Sequence, residues 1–190
     1  KSAAVAAGEG EPFHIDIGKL NGQPFVYVAA FGAFTDVAYN TPQPFKNLFG
    51  HLAYVLEGAT RLSSIQAYPM TVEHDAGMEV GSYCYGMVSN TVSVGGFKGM
   101  PTEPVRLDDG IFEVVLVRQP QNPLQLQAII KALLTMSPDE QGLVTSYRTS
   151  RLRITCRQEL PWTLDGEYGG APKTAEIENC SRAVSIVYGK

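Results

Sequence analysis

The chain has 190 residues, of which 44% are hydrophobic and 18% charged, with a formal net charge of −4. That balance suits one large globular domain, or two small ones, with a real core. The mild acidity argues against nucleic-acid binding, which needs a basic face, and no run approaches the roughly 20 apolar residues of a transmembrane helix.

Residues 1–11 are Ala/Gly-rich and lack the apolar core of a signal peptide, so they read as a linker or frayed start to a domain over 12–190. The chain opens on Lys1 rather than Met and reads as the cut end of a longer protein. Phe13, Ile15 and Ile17 alternate with His14 and Asp16, the period of a strand. Asn21-Gly22 favours a tight hairpin turn, and residues 25–30 return as a strand apolar enough to be buried on both faces. Thr41 and Pro42 open a helix whose stripe is Phe45, Leu48, Phe49, Leu52, Leu56 and Ala59, ending near Gly58 and Arg61. Short strands follow at 64–68, 71–74, 83–89 and 112–118. A second helix starts at Asn122 and Pro123 and buries Leu126, Ile129, Ile130, Leu133 and Leu134. Strands resume at 143–147, 151–157, 162–165, 175–179 and 183–188. In the second of these, Arg151, Arg153 and Thr155 alternate with Leu152, Ile154 and Cys156, so one face is wet. Many strands with two inserted helices predict a mainly-β, α+β sandwich.

Cys84, Cys156 and Cys180 are odd in number and have no Cys-x-x-Cys spacing, which gives neither a disulfide framework nor a zinc knuckle. Each reads as a buried apolar side chain in a reduced, cytoplasmic setting. His14, His51 and His74 lack ligand-like spacing, and no Ser/His/Asp arrangement is evident.

Three segments carry chemistry: Ser89-Asn90-Thr91-Val92-Ser93-Val94-Gly95-Gly96-Phe97, Arg106-Leu107-Asp108-Asp109-Gly110-Ile111-Phe112-Glu113-Val114 and Leu164-Asp165-Gly166-Glu167-Tyr168-Gly169-Gly170. A carboxylate held at the edge of a cleft can act as a general base, taking the proton of a hydroxyl as its oxygen attacks. Gly166 permits a sharp turn on which Asp165 and Glu167 project differently. The plain alternative at both acidic segments is a solvated hairpin turn with no ion and no chemistry.

In order and spacing, the three segments resemble the second domain of bacterial diacylglycerol kinases and related lipid kinases. Phe31-Gly32-Ala33-Phe34-Thr35-Asp36 and the helix holding Lys46, Asn47, Gly50 and Tyr54 share the likeness, which runs from about Phe13 onward. It implies the β-sandwich second domain of the diacylglycerol kinase and NAD kinase fold group. It makes Glu167 the general base for transfer of the ATP γ-phosphoryl to the hydroxyl of a membrane lipid such as diacylglycerol. Asp165 would orient Glu167, help hold a catalytic magnesium, or cap the turn. A structural magnesium would take the Asp109 side chain and the carbonyls of Arg106 and Ile111, a sparse set that suits an ion keeping several waters. Phe31, Phe34, Tyr39, Phe45 and Phe49 would line an acyl pocket, or simply pack the core.

The family's Gly-Gly-Asp-Gly-Thr phosphate loop is absent: Gly95-Gly96 and Gly169-Gly170 continue differently. ATP would therefore be bound mainly by an N-terminal domain outside this chain, and the chain alone would be inactive. The likeness also suggests a homodimer on the cytoplasmic membrane surface. A kinase for sphingosine-like substrates shares the Asp-Gly-Glu element, and a non-catalytic lipid-binding module is the rival from another class.

Overall fold

The computed structural model describes residues 8, 10–32, 65–91, 93–94, 97–98, 106–135 and 141–188. The expected helix over 41–61 lies outside these residues, as do His51, the Gly95-Gly96 turn and the candidate pocket residues Phe34, Tyr39, Phe45 and Phe49.

Asn21 and Gly22, with φ of 48° and 85°, turn strand β1 (Glu11–Leu20) into β2 (Gln23–Phe25), the geometry Asn-Gly favours. The return expected over 25–30 is broken. Val26 and Tyr27 bend out of line and are 49% and 39% exposed, and β3 (Val28–Gly32) starts only after them. A side chain far along the sequence causes this break, as described below. Residue 68 begins the longer β4 (Tyr68–His74), and 65–67 lie outside any strand. An Asp75-Ala76 turn leads into β5 (Gly77–Ser89).

Strand β5 organises the sheet. Its residues 85–89 pair with β3, its residues 77–83 with β4, and Tyr83 to Ser89 with β8 (Phe112–Arg118). Tyr83 meets Tyr68 of β4 and Arg118 of β8, so those two strands take opposite edges. The pairing then runs from β4 to β10 (Arg151–Cys156), β13 (Thr174–Tyr188), β1 and β2, while β8 continues to β9 (Val144–Thr149). At the far end β3 pairs with β11 (Trp162–Leu164), which pairs with β12 (Glu167–Tyr168). A separate small pair joins β6 (Ser93–Val94) to β7 (Phe97–Lys98).

The fold is mainly β, as expected. One helix lies among the described residues, α1 (Pro123–Thr135). Its start follows the sequence: Asn122 Oδ1 accepts the Gln125 N–H at 2.9 Å, and Gln125 reaches back to the Gln121 N–H at 2.7 Å. Ile129 and Ala132 of α1 pack with Val115, Val117 and Val144. The other face of β8 enters the main core with Phe112, Val114 and Leu116, beside Trp162, Phe31 and Tyr68. Phe31 is fully buried and stacks edge-on against Trp162 at 5.0 Å, so it packs the core. Strand β10 alternates exposed and buried positions throughout. All three cysteines are free; Cys84 and Cys156 are buried, whereas Cys180 is only half-buried.

Two strands expected at 175–179 and 183–188 form the single β13, interrupted by a bulge. Ile15 pairs with Val184 but Ile17 with Cys180, so residues 181–183 stand opposite Asp16 alone. Arg182 in that bulge has φ 52°.

Candidate active site and the acidic turn beside it

Leu164 pairs with Glu167 and Thr163 with Tyr168, closing a two-residue hairpin of Asp165 (φ 51°) and Gly166 (φ 93°). Positive φ at both positions is the type I′ geometry, which Asp-Gly tolerates well. The Asp165 carboxylate points back into the fold and accepts the N–H groups of Val26 at 2.7 Å, Tyr27 at 2.8 Å and Val28 at 2.9 Å. Its own N–H donates to the Val28 carbonyl at 2.8 Å. These charge-assisted bonds explain why the strand breaks at Val26 and Tyr27: their N–H groups serve a carboxylate instead of a ladder. Glu167 is different. It is exposed on β12, and no hydrogen bond or ion pair to its side chain occurs among the described residues. Among the described residues its lone pairs stay open, on a turn rimmed by exposed Val26, Tyr27 and Tyr168.

The second acidic turn is built around a residue the sequence reading passed over. Asp16 is fully buried. Its Oδ2 accepts the Gly110 N–H at 2.5 Å and its Oδ1 the Arg182 N–H at 2.6 Å, and its N–H donates to the Leu107 carbonyl at 2.7 Å. Asp16 thus ties residues 107–110 to the bulge of β13. Asp108 faces Arg106 and Arg182, each at 3.4 Å. Asp109 lies 2.5 Å from Arg148 through Oδ2 and accepts the Ile111 N–H through Oδ1 at 3.1 Å.

Arg148 also approaches Glu113, at 3.4 Å. Glu113 shares the β8 face that carries Val115 and Val117, and it is almost wholly buried. Burial raises its carboxyl to about 7, with Arg148 pulling it down and Asp109 pushing it further up. A carboxyl raised in the folded state holds its proton more tightly there than in the unfolded chain. The stability it contributes is complete below its ordinary value of 4.5 and is lost as pH rises through about 7. Wild type is therefore expected to melt lower at pH 8 than at pH 5. Glu113→Gln should flatten that part of the profile, worth on the order of 2–3 kcal/mol. Equal slopes for the two proteins would assign the pH dependence elsewhere.

The two turns are joined. Tyr27, whose N–H binds Asp165, accepts the Asn90 N–H through its carbonyl at 3.3 Å, and the Asn90 amide donates to the Asp16 carbonyl at 2.8 Å. A run of hydrogen bonds thus leads from Asp165 through Tyr27, Asn90 and Asp16 to Gly110. Asn90 belongs to the first of the three informative segments; Asp16, Arg148 and Arg182 do not belong to any.

A family profile described as the YegS C-terminal NAD kinase beta sandwich-like domain matches residues 29–187. The diacylglycerol kinase of Bacillus subtilis (strain 168) is 30% identical over 176 residues, covering 93% of this chain and 57% of that protein. A Staphylococcus aureus (strain bovine RF122 / ET3-1) diacylglycerol kinase is 30% identical over 178 residues, covering 94% and 56%. The chain thus spans just over half the length of these relatives. Two solved structures from Bacillus anthracis str. Sterne share the fold. One superposes with a TM-score of 0.70 at 20% identity, covering 98% of this chain and 61% of the other. The second, a diacylglycerol kinase, gives 0.63 at 18%, covering 98% and 58%. The Asp165–Glu167 hairpin and the Asp16-centred turn accordingly sit in a chain that belongs to the YegS C-terminal, NAD kinase β-sandwich-like family, among relatives named diacylglycerol kinase.

Proposed function

We propose that this chain is the lipid-side half of an ATP-dependent lipid kinase acting on a hydroxyl lipid such as diacylglycerol. The observation that carries the reading is Glu167: a carboxylate unengaged among the described residues, on a hairpin whose neighbour, Asp165, is locked by three backbone N–H groups. In this mechanism Glu167 takes the proton of the lipid hydroxyl as its oxygen bonds to the γ-phosphorus and the bond to ADP breaks. Asp165 acts as a positioning residue, because its oxygens already serve the bend at Val26 and Tyr27. The exposed side chains of Val26, Tyr27 and Tyr168 offer the apolar end of a lipid a place beside Glu167. No helix among the described residues is long and apolar enough to cross a membrane, and the reading places the enzyme peripherally, on the cytoplasmic membrane surface.

ATP would be held mainly by a nucleotide-binding half outside these residues. Bound magnesium would neutralise charge on the phosphates and hold a turn together. Asp109 with the carbonyls of Arg106 and Ile111 is the set we assign to a structural ion. What supports it is a carboxylate reachable by water, 19% exposed, whose oxygens each keep a lone pair. The set is sparse and Arg148 competes for it, so the ion would keep most of its water. Melting curves with magnesium and with chelator should show a magnesium-dependent rise in wild type. Asp109→Ala should lack that rise; an identical response in both proteins would remove Asp109 as a ligand.

The 190-residue chain alone is expected to phosphorylate no lipid, and the same chain joined to a nucleotide-binding half should do so. A panel of diacylglycerol and sphingosine-like substrates then reads the preference. Phosphorylation by the isolated chain would overturn the division of labour, and inactivity of the joined protein on every lipid would overturn the kinase reading.

A further inference from the structure

We propose that Arg148 is a displaceable stand-in for a cation at Asp109. Its guanidinium holds the acidic turn in shape while no ion is bound, gives up Asp109 when magnesium arrives, and so sets the concentration at which the ion binds. The inference rests on the reading of Asp109 as a magnesium ligand and adds what Arg148 does there. Strand β9 places Arg148 directly opposite Glu113 of β8. From that position one side chain reaches two carboxylates: Nη2 lies 2.5 Å from Asp109 Oδ2, and Nε lies 3.4 Å from Glu113 Oε1. The guanidinium thus bridges the turn to the strand that follows it.

The two contacts differ in kind. The contact with Asp109 is short but half-open to water, with 30% of the Arg148 side chain and 19% of the Asp109 side chain exposed, so another cation has access to it. The Glu113 side chain is only 5% exposed, and neither of its oxygens has a well-aligned hydrogen bond among the described residues. A buried carboxylate with so few partners keeps a neighbouring cation, because losing it would leave a charge out of water. Arg148 therefore has a second berth and can release Asp109 without leaving its strand. Asp108 offers no such exchange: Arg106 and Arg182 both approach it, and both would have to move. Asp16 is committed to the N–H groups of Gly110 and Arg182. Asp109 is thus the carboxylate of the turn whose cation is single and replaceable.

A guanidinium and a magnesium ion compete for Oδ2, because setting a divalent ion beside a fixed positive charge in a half-buried place costs Coulomb energy. Magnesium also gives up its water reluctantly. Arginine keeps the site when the ion is scarce, and magnesium takes it when the ion is plentiful. Asp109 is neutralised in both states, so its bond to the Ile111 N–H and the Asp16 bond to Gly110 need not break.

Magnesium titration of the folded 190-residue chain by calorimetry, with melting curves in chelator and in magnesium, tests the exchange. Arg148→Met keeps the apolar stem and removes the charge. It should bind magnesium about tenfold tighter than wild type or better. It should melt lower than wild type in chelator, with the gap narrowing once magnesium saturates. Arg148→Met leaves Glu113 without its cation, so the double variant Arg148→Met/Glu113→Gln, which buries no unpaired charge, covers the case in which the single variant does not fold. It should show the same tighter binding, and Asp109→Ala should abolish binding in every background. A wild-type response that Asp109→Ala removes, with no gain in affinity when Arg148 is replaced, would overturn the exchange and leave the magnesium reading standing. If none of these proteins responds to magnesium, both fall together.

Discussion

Glu167→Gln, in a protein carrying both this domain and its nucleotide-binding half, is expected to lower kcat by about 10² to 10⁴-fold. Gln keeps the length and planarity of the side chain and removes the proton acceptor. The hairpin beneath it should be undisturbed, because β12 pairing and the Asp165 bonds use backbone and a neighbouring side chain. The loss should therefore appear in kcat with lipid and ATP binding little changed. Asp165→Asn is expected to behave differently. It replaces one acceptor oxygen with an NH2 group facing N–H donors, so the bend at Val26 and Tyr27 should loosen, and stability and lipid KM should suffer along with kcat. Steady-state kinetics on folded variants, with melting curves beside them, separate the two patterns. A Glu167→Gln enzyme within about threefold of wild type, far below the usual contribution of a general base, would leave the hairpin a scaffold only.

Asp16→Ala should be among the most destabilising single changes outside the apolar core. It strips the part-buried N–H groups of Gly110 and Arg182 of their acceptor, and each such group left unpaired costs up to about 1–3 kcal/mol. A total near 3–5 kcal/mol corresponds to a melting temperature lower by roughly 6–20 °C for a domain of this size. Asp16→Asn keeps one acceptor and should fall between wild type and Ala. Denaturant titration of the three proteins checks the order. A cost for Ala below about 1 kcal/mol would mean that the turn relaxes and finds other acceptors.

The contrast between these two residues shows what the sequence could and could not disclose. The hairpin that carries Glu167 was legible because Asp-Gly encodes its own turn. The Asn21-Gly22 hairpin, the cap at Asn122 and the wet face of β10 were legible for the same reason: each is decided by residues within a few positions. Asp16 was not. Alternation puts it beside exposed His14, and only the extra residues 181–183 in the partner strand turn it inward. The bend at Val26 and Tyr27 likewise depends on Asp165, 138 or more positions away. Glu113 sits where a strand normally shows a polar residue to water, but α1 packs on Val115 and Val117 of that face and Arg148 closes on Glu113 itself, so its burial is a tertiary fact.

The bonds that matter most here span nearly the whole chain: Asp16 meets Arg182 across 166 positions and Tyr27 meets Asp165 across 138. During synthesis, β1 emerges early and waits for β13. Until that last strand leaves the ribosome, Asp16 has no bulge to bind, and the acidic turn has only part of its support. The growing polypeptide must therefore carry β1, paired only with β2 at residues 18–20, while residues 26–173 are made, a delay that loop-closure entropy lengthens further. Premature termination a few residues short of β13 would leave the Asp-Gly-Glu hairpin its pairing with β3 but deprive β1, and with it Asp16 and the acidic turn, of the strand that holds them.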